Sequence, residues 1–166
     1  MPRGKSKAAP RRALEGGTVA MNRRARYDYE ILQRYDAGLV LLGPEIKSIR
    51  AGKANIGEGY ARFNDGELWL YNVHIAQYEA AREKPEPTRP RKLLLHRAEM
   101  ARMRRALEEQ QRATVIPLRL YLARGLAKVE LGVARGKRAY DKRQSIAKRE
   151  SERDIARALR QRQREG

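Results

Sequence analysis

The chain has 166 residues, 41% of them hydrophobic, no cysteine and a formal net charge of +18. Such a length supports one hydrophobic core and leaves no room for a second domain, and without cysteine there is no disulfide, thiolate metal site or thiol nucleophile. No apolar run is long enough for a signal peptide or a membrane span, so a soluble, cytoplasmic protein is expected.

The charge is concentrated at the ends. Residues 1 to 26 hold eight Lys or Arg against one acid, and residues 135 to 166 hold twelve against five. Two cationic ends on a nearly balanced body favour a polyanionic partner. Nucleic acid fits better than a membrane surface, because the basic segments lack the Trp, Phe and Leu face of an interfacial helix.

Residues 1 to 20 mix Pro, Gly, Lys and Arg without a period and read as a basic flexible arm. Asn22 is expected to cap a short helical turn through Arg23, Arg24, Ala25 and Arg26. Tyr29, Ile31 and Tyr35, followed by Leu39 to Leu42, read as two antiparallel strands joined through Asp36-Ala37-Gly38. Gly43, Pro44 and Glu45 then open a helix of about two turns that Gly52 closes. In it Ile46 and Ile49 face the core, while Lys47, Arg50 and the following Lys53 project elsewhere.

Tyr60 to Phe63 and Leu68 to Tyr71 flank Asp65-Gly66, a strong hairpin signal. Residues 80 to 92 contain Pro85, Pro87 and Pro90 and read as a loop. A helix is expected from Arg97 to about Gln111, with Met100, Met103 and Leu107 on one stripe. Thr114 to Leu122 and Leu126 to Val133 are strands joined through Ala123-Arg124-Gly125, and Pro117 marks an edge or a bulge. Residues 21 to 134 therefore predict a mainly β body, an OB-fold-like antiparallel six-stranded β-barrel with about three short helices, because closure removes exposed edges. A flat α+β sheet covered by the 97 to 111 helix is the alternative.

Residues 135 to 166 form a basic C-terminal tail, helical or disordered depending on context. Placed on a helix, Arg149, Arg153, Arg157, Arg160 and Arg164 recur every three or four residues as one cationic stripe. A solvated basic tail that binds any anion is the competing reading. Tyr140 lies where no core is available and reads as a stacking or docking residue, whereas Tyr29, Tyr60 and Trp69 read as core. His74 and His96 stand apart with no cluster of metal-ligand spacing, and Asp36, Glu45, Glu58, Asp65 and Glu67 read as turn or cap residues. No catalytic residue, metal or cofactor is expected, and the chain does not read as an enzyme.

The segments Asn22 to Tyr27, Gly43 to Asn55, Arg91 to His96, Lys128 to Gly132 and Gly136 to Arg143 together resemble the SsrA-binding protein (SmpB) family, over roughly residues 20 to 160. The resemblance implies a bacterial RNA-binding protein with an OB-like barrel that grips the tRNA-like domain of transfer-messenger RNA (tmRNA). With elongation factor Tu and GTP it would bring this RNA to the A site of stalled ribosomes. Its tail would probe the 30S decoding centre and the empty mRNA channel.

Matched by position, the RNA-binding surface falls on Asp36, Leu94, His96 and Lys128, with Lys47, Arg50 and Lys53 as phosphate contacts. The ribosome contacts fall on Asn22, Tyr27, Gly136, Lys137, Arg138, Tyr140, Asp141, Lys142 and Arg143, and the Arg149 and Arg153 stripe continues them. Asp36 stands where Glu is frequent in the family, Arg138 replaces a common Lys, and Pro44 occupies a position usually given to another residue. A monomer is expected. The rival reading is a ribosomal or rRNA-assembly protein with basic extensions.

Overall fold

The computed structural model describes residues 17–137 and 139–165. Strand β1 (Thr18–Met21) leads into a single-turn helix α1 (Ala25–Asp28), the long strand β2 (Tyr29–Leu39) and helix α2 (Gly43–Arg50). Short β3 (Ala54–Asn55) precedes the hairpin β4 (Tyr60–Asn64) and β5 (Glu67–Tyr71), then β6 (His74–Ile75), β7 (Arg91–Leu94) and helix α3 (Arg97–Glu109). Two eleven-residue strands, β8 (Ala113–Ala123) and β9 (Leu126–Gly136), complete the body, and helix α4 (Ala139–Glu165) follows.

The strands pair in the order β8-β4-β5-β7-β2-β9, and β9 pairs again with β8. Six antiparallel strands thus form a ring whose pairings return on themselves, the barrel expected from the strand pattern. β1 adds to β8 outside the ring, and β3 and β6 form a separate two-stranded piece. Two joins of the ring are narrow: β4 meets β8 at Ala61↔Val115, and β2 meets β7 at Gly38↔Leu94 and Leu39↔Leu93.

Alternation along the long strands fills the interior. Val129, Leu131 and Val133 of β9 and Leu120 and Leu122 of β8 are buried, with Leu68, Leu70 and Leu93 from the other side of the ring and Met103 of α3 plugging it. Both predicted tight hairpins form. Asp65 and Gly66 join β4 to β5 with φ of 51° and 79°, and Arg124 and Gly125 join β8 to β9 with 51° and 78°, the left-handed pair that matches strand twist. Pro117 sits at a bulge: it opposes Leu131, Arg119 opposes Glu130, and Leu118 is the extra residue. At Gly59 an added Cβ would lie 2.6 Å from Val73 Cγ2 and 2.9 Å from Pro117 Cγ, so only glycine fits.

Several expectations need correction. The six ring strands include β7, whose Arg91 and Lys92 fall at the end of the expected 80 to 92 loop, and Tyr29–Leu39 is one strand rather than two joined at Asp36-Ala37-Gly38. That tripeptide stays extended because β9 pairs with it throughout, Asp36↔Glu130, Ala37↔Val129 and Gly38↔Lys128. Asn22 does not cap α1 with its side chain; its Nδ2 donates to the Pro117 carbonyl at 3.0 Å. Thr18, Val19 and Ala20, the last residues of the expected flexible arm, belong with Met21 to strand β1. Residues 1 to 16 of that arm lie outside the described residues. The body carries the three short helices expected, and the tail, expected to be helical or disordered, is helical from Ala139 to Glu165.

A buried ion cluster ties α2 to the barrel. Glu45 and Arg91 are 2% and 1% exposed, and Arg91 Nε donates to Glu45 Oε2 at 2.6 Å. The other Arg91 nitrogens donate to the carbonyls of Val73 at 2.7 Å and Pro87 at 2.9 Å. Arg89 and the Leu42 backbone N–H also donate to the Glu45 carboxylate. Every strong polar site of the pair is thereby matched, which is what tolerating buried charge requires.

Candidate nucleic-acid interface

Strand register brings three of the expected RNA contacts onto one outer face. Leu94 of β7 opposes Gly38 of β2, Gly38 opposes Lys128 of β9, and Lys128 opposes Tyr121 of β8. One step along, Asp36 opposes Glu130, which opposes Arg119. Gly38 has no side chain to stand between its neighbours, and an added Cβ would meet Leu94 Cβ at 3.4 Å. Leu94 itself is 52% exposed, an apolar residue left facing water at the β7 end of the row.

Polar contacts knit this face together. Tyr121 Oη donates to Asp36 Oδ1 at 2.8 Å, and the Arg119 guanidinium lies 4.4 Å from the centre of the Tyr121 ring. Burial, with the Asp36 hydrogen bond next in importance, pushes the Tyr121 hydroxyl up to about 12, so it remains a donor at physiological pH. Glu130 accepts from Arg34 at 2.9 Å and pairs with Arg119 at 3.4 Å. Lys128 stands in the same row, its ammonium available to a phosphate.

The remaining members of this set are less closely gathered. Arg50 of α2 reaches the β8–β9 turn, where a Cβ on Gly125 would lie 4.0 Å from its Nη2. Lys47 is turned elsewhere, with Nζ 5.3 Å over the Tyr78 ring. Lys53 is exposed just past α2. His96 is exposed at the N-cap of α3, two residues beyond Leu94, and its backbone N–H donates to Glu99 Oε1 at 3.4 Å.

The second expected set gathers at the opposite end of β9. Gly136 opposes Tyr29, Lys137 N–H donates to the Asp28 carbonyl at 2.8 Å, and Lys137 Nζ donates to the Arg26 carbonyl at 2.6 Å. Arg149 of α4 lies 4.7 Å over the Tyr27 ring, so the tail helix rests on α1. Arg143 and Arg153 are exposed, and Asn22 is turned into the wall by its bond to Pro117. Arg138 lies outside the described residues, as do the side chains of Tyr140, Asp141 and Lys142. From Lys128 to Gly136 an extended strand covers about 26 Å, so the two sets sit far apart on one element.

The SmpB protein family model matches residues 19–161. An SsrA-binding protein of Roseiflexus sp. (strain RS-1) is 59% identical over 148 residues, covering 88% of this chain and 93% of the relative. The chain belongs to the SsrA-binding protein (SmpB) family. The SsrA-binding proteins of Desulforudis audaxviator and Thermobifida fusca are 56% and 53% identical, covering 86% and 87% of this chain. A chain of the solved structure described as "tmRNA-SmpB: a journey to the center of the bacterial ribosome" superposes with a TM-score of 0.61 at 48% identity, covering 76% of this chain and 92% of that one.

Within this SmpB-family barrel, Tyr121, Arg119 and Glu130 are the site neighbours that sequence reasoning passed over. The alternation of β8 past its bulge carried the signal, since Leu120 and Leu122 face in and Arg119 and Tyr121 must face out. Tyr29, Tyr60 and Trp69, read as core, are not buried; Tyr60 is 39% exposed.

Proposed function

We propose that this SmpB-family chain is the protein partner of tmRNA in trans-translation. It is an RNA-binding factor and not an enzyme, and the family membership supports both statements. The reading is carried by the row Leu94, Gly38, Lys128 and Tyr121, which sets an apolar contact, an ammonium and the Asp36–Tyr121 pair on one exposed face. Such a face suits a folded RNA surface: Lys128, Arg50 and Lys53 meet phosphates, and Leu94, His96 and the Asp36–Tyr121 pair meet bases or ribose hydroxyls. Lys47 is a further phosphate contact once it leaves Tyr78.

In this reading the barrel face holds the tRNA-like domain, and the complex reaches the A site with elongation factor Tu and GTP. The other end of β9 addresses the 30S decoding centre through Gly136 to Arg143 with Asn22 and Tyr27, while the arginines of α4 follow the empty mRNA channel. The protein acts as a monomer in the cytoplasm. Among the described residues no helix is long and apolar enough to cross a membrane. The family does not favour a permanent ribosomal protein.

The test is to sequence the RNA that co-purifies with the chain, and to compare it with a chain ending at Gly136. Enrichment of one RNA with a tRNA-like end, retained by the truncated chain while tagging of stalled peptides is lost, is the expected result. Bulk ribosomal RNA in place of that one species, or equal loss of RNA affinity and tagging, contradicts it.

A further inference from the structure

The outer face of the β4–β5 hairpin carries rings that neither interface uses. Tyr60 and Tyr71 oppose one another with ring centres 5.4 Å apart and planes 19° apart, and the Arg62 guanidinium lies 5.6 Å over the Tyr71 ring. Trp69 opposes Arg62 on one side and Lys92 on the other. Since Leu68 and Leu70 point into the core, Trp69 and Tyr71 point outward.

A cross-strand aromatic pair stabilises a hairpin. That role does not account for Arg62, which has no ion pair with a carboxylate among the described residues. Nor does it account for the groove beside it. Where β4 meets β8 at one residue pair, an open groove of about 430 Å³ runs between Tyr60, Arg62 and Phe63 on one side and Leu107 and Thr114 on the other. Arg104 of α3 lies 4.7 Å over the Phe63 ring, beside Gly66 at the hairpin turn and outside the groove lining.

We propose that this face is a stacking platform for an unpaired stretch of tmRNA, with a base against the open side of Tyr60 and the adjoining phosphate on Arg62. Exposed aromatic faces interleaved with unpaired cations are the chemistry by which β-barrels hold single-stranded RNA, since every base has a face to stack and every linkage a charge to neutralise. Continuity chooses the source of the strand. Lys92, beside Trp69, and Leu94, in the row that holds the tRNA-like domain, are alternate residues on the outer face of β7. RNA leaving that row can reach the platform without crossing the barrel. The inference rests on the tmRNA reading above.

Trp69 is the only tryptophan and reports on its own surroundings. The full chain is titrated with a full tmRNA transcript and, separately, with vacant ribosomes, following Trp69 emission. Emission falls in proportion to tmRNA bound. The double variant Tyr60→Ser and Arg62→Gln binds tmRNA about tenfold more weakly, and its slope of log affinity against log salt is shallower by about one unit. Tyr60→Phe, which keeps the ring, behaves as the parent. Arg62→Gln alone, on an exposed residue outside the core, keeps the salt-slope test open if the double variant melts early.

Unchanged emission on tmRNA binding, or an unchanged slope in Arg62→Gln, overturns the platform. Quenching by vacant ribosomes without quenching by tmRNA assigns the face to ribosomal RNA and overturns it as well. Failure of the parent chain to prefer tmRNA over bulk ribosomal RNA is a different result, which removes the tmRNA reading itself.

Discussion

Replacing Glu45 by Gln keeps the shape of a buried side chain and removes one charge from the cluster that ties α2 to β7. Arg91, 1% exposed, then retains its bonds to the Val73 and Pro87 carbonyls but loses its counter-ion. Leaving one charge of a buried pair uncompensated costs about 3 to 5 kcal/mol, against a total stability of about 5 to 15 kcal/mol for a domain of this kind. With a urea slope of about 2 kcal/mol/M, the midpoint at pH 7 should fall by about 2 M without a change in slope. Trp69 emission follows the transition. Acid supplies a second reading. Burial alone would raise the Glu45 carboxyl, but bonds from Arg89, the Leu42 N–H and Arg91 outweigh it and hold the group below its ordinary 4.5. A carboxyl lowered in the folded state adds stability that is present above the unfolded value and lost as pH falls through the folded one. The parent should therefore lose stability below about pH 4.5 more steeply than Glu45→Gln does. Burial meanwhile pushes the Arg91 guanidinium down, and Glu45 offsets that only in part. Replacing both Glu45 and Arg91 by Met should accordingly recover most of the single variant's loss. A single-variant loss under about 1 kcal/mol, or a double variant no better than the single, would refute the assignment of the cluster as a mutually dependent buried pair.

Three further outcomes follow from the geometry. Gly59→Ala drives a methyl to within 2.6 Å of Val73 Cγ2 and should cost about 1 to 3 kcal/mol in thermal or urea unfolding. Asp36→Asn should bring the Tyr121 hydroxyl part-way down from about 12 toward its ordinary 10.0, seen by spectrophotometric titration, with burial keeping the remainder. Tyr27→Ser removes the ring under Arg149, worth about 0.5 to 1 kcal/mol; barrel melting should stay within about that margin while limited trypsin digestion of α4 becomes faster.

Local chemistry made the hairpins legible. Asp65-Gly66 and Arg124-Gly125 demand left-handed backbone, and little else could join the flanking strands. Asp36-Ala37-Gly38 misled for the same reason, because the residues that favour a turn were instead held extended by pairing with distant residues, Glu130, Val129 and Lys128, which no local pattern reveals. β7 has four residues and stands beside prolines, too short for alternation to register. Charged residues read as surface, so the Glu45–Arg91 cluster was invisible until tertiary structure enclosed it. Spacing marked the arginine stripe of the tail, but not the Tyr27 ring against which it rests. The positions of Asp36, Leu94, His96 and Lys128 came from resemblance, since nothing in their local sequence distinguishes them from ordinary strand and cap residues.

Both bulges around β9 lie on its neighbours: Leu32 is the extra residue in β2 and Leu118 the extra residue in β8. β9 itself keeps an unbroken two-residue rhythm between Lys128 and Gly136, flanked on both sides and filled beneath by Val129, Leu131 and Val133. The strand thus acts as a stiff spacer without a joint, so the gap between the two proposed interfaces at its ends is a length written directly in residues. Lengthening it by one would turn one end to the opposite face, whereas adding two would keep both faces and move the ends apart by about 7 Å.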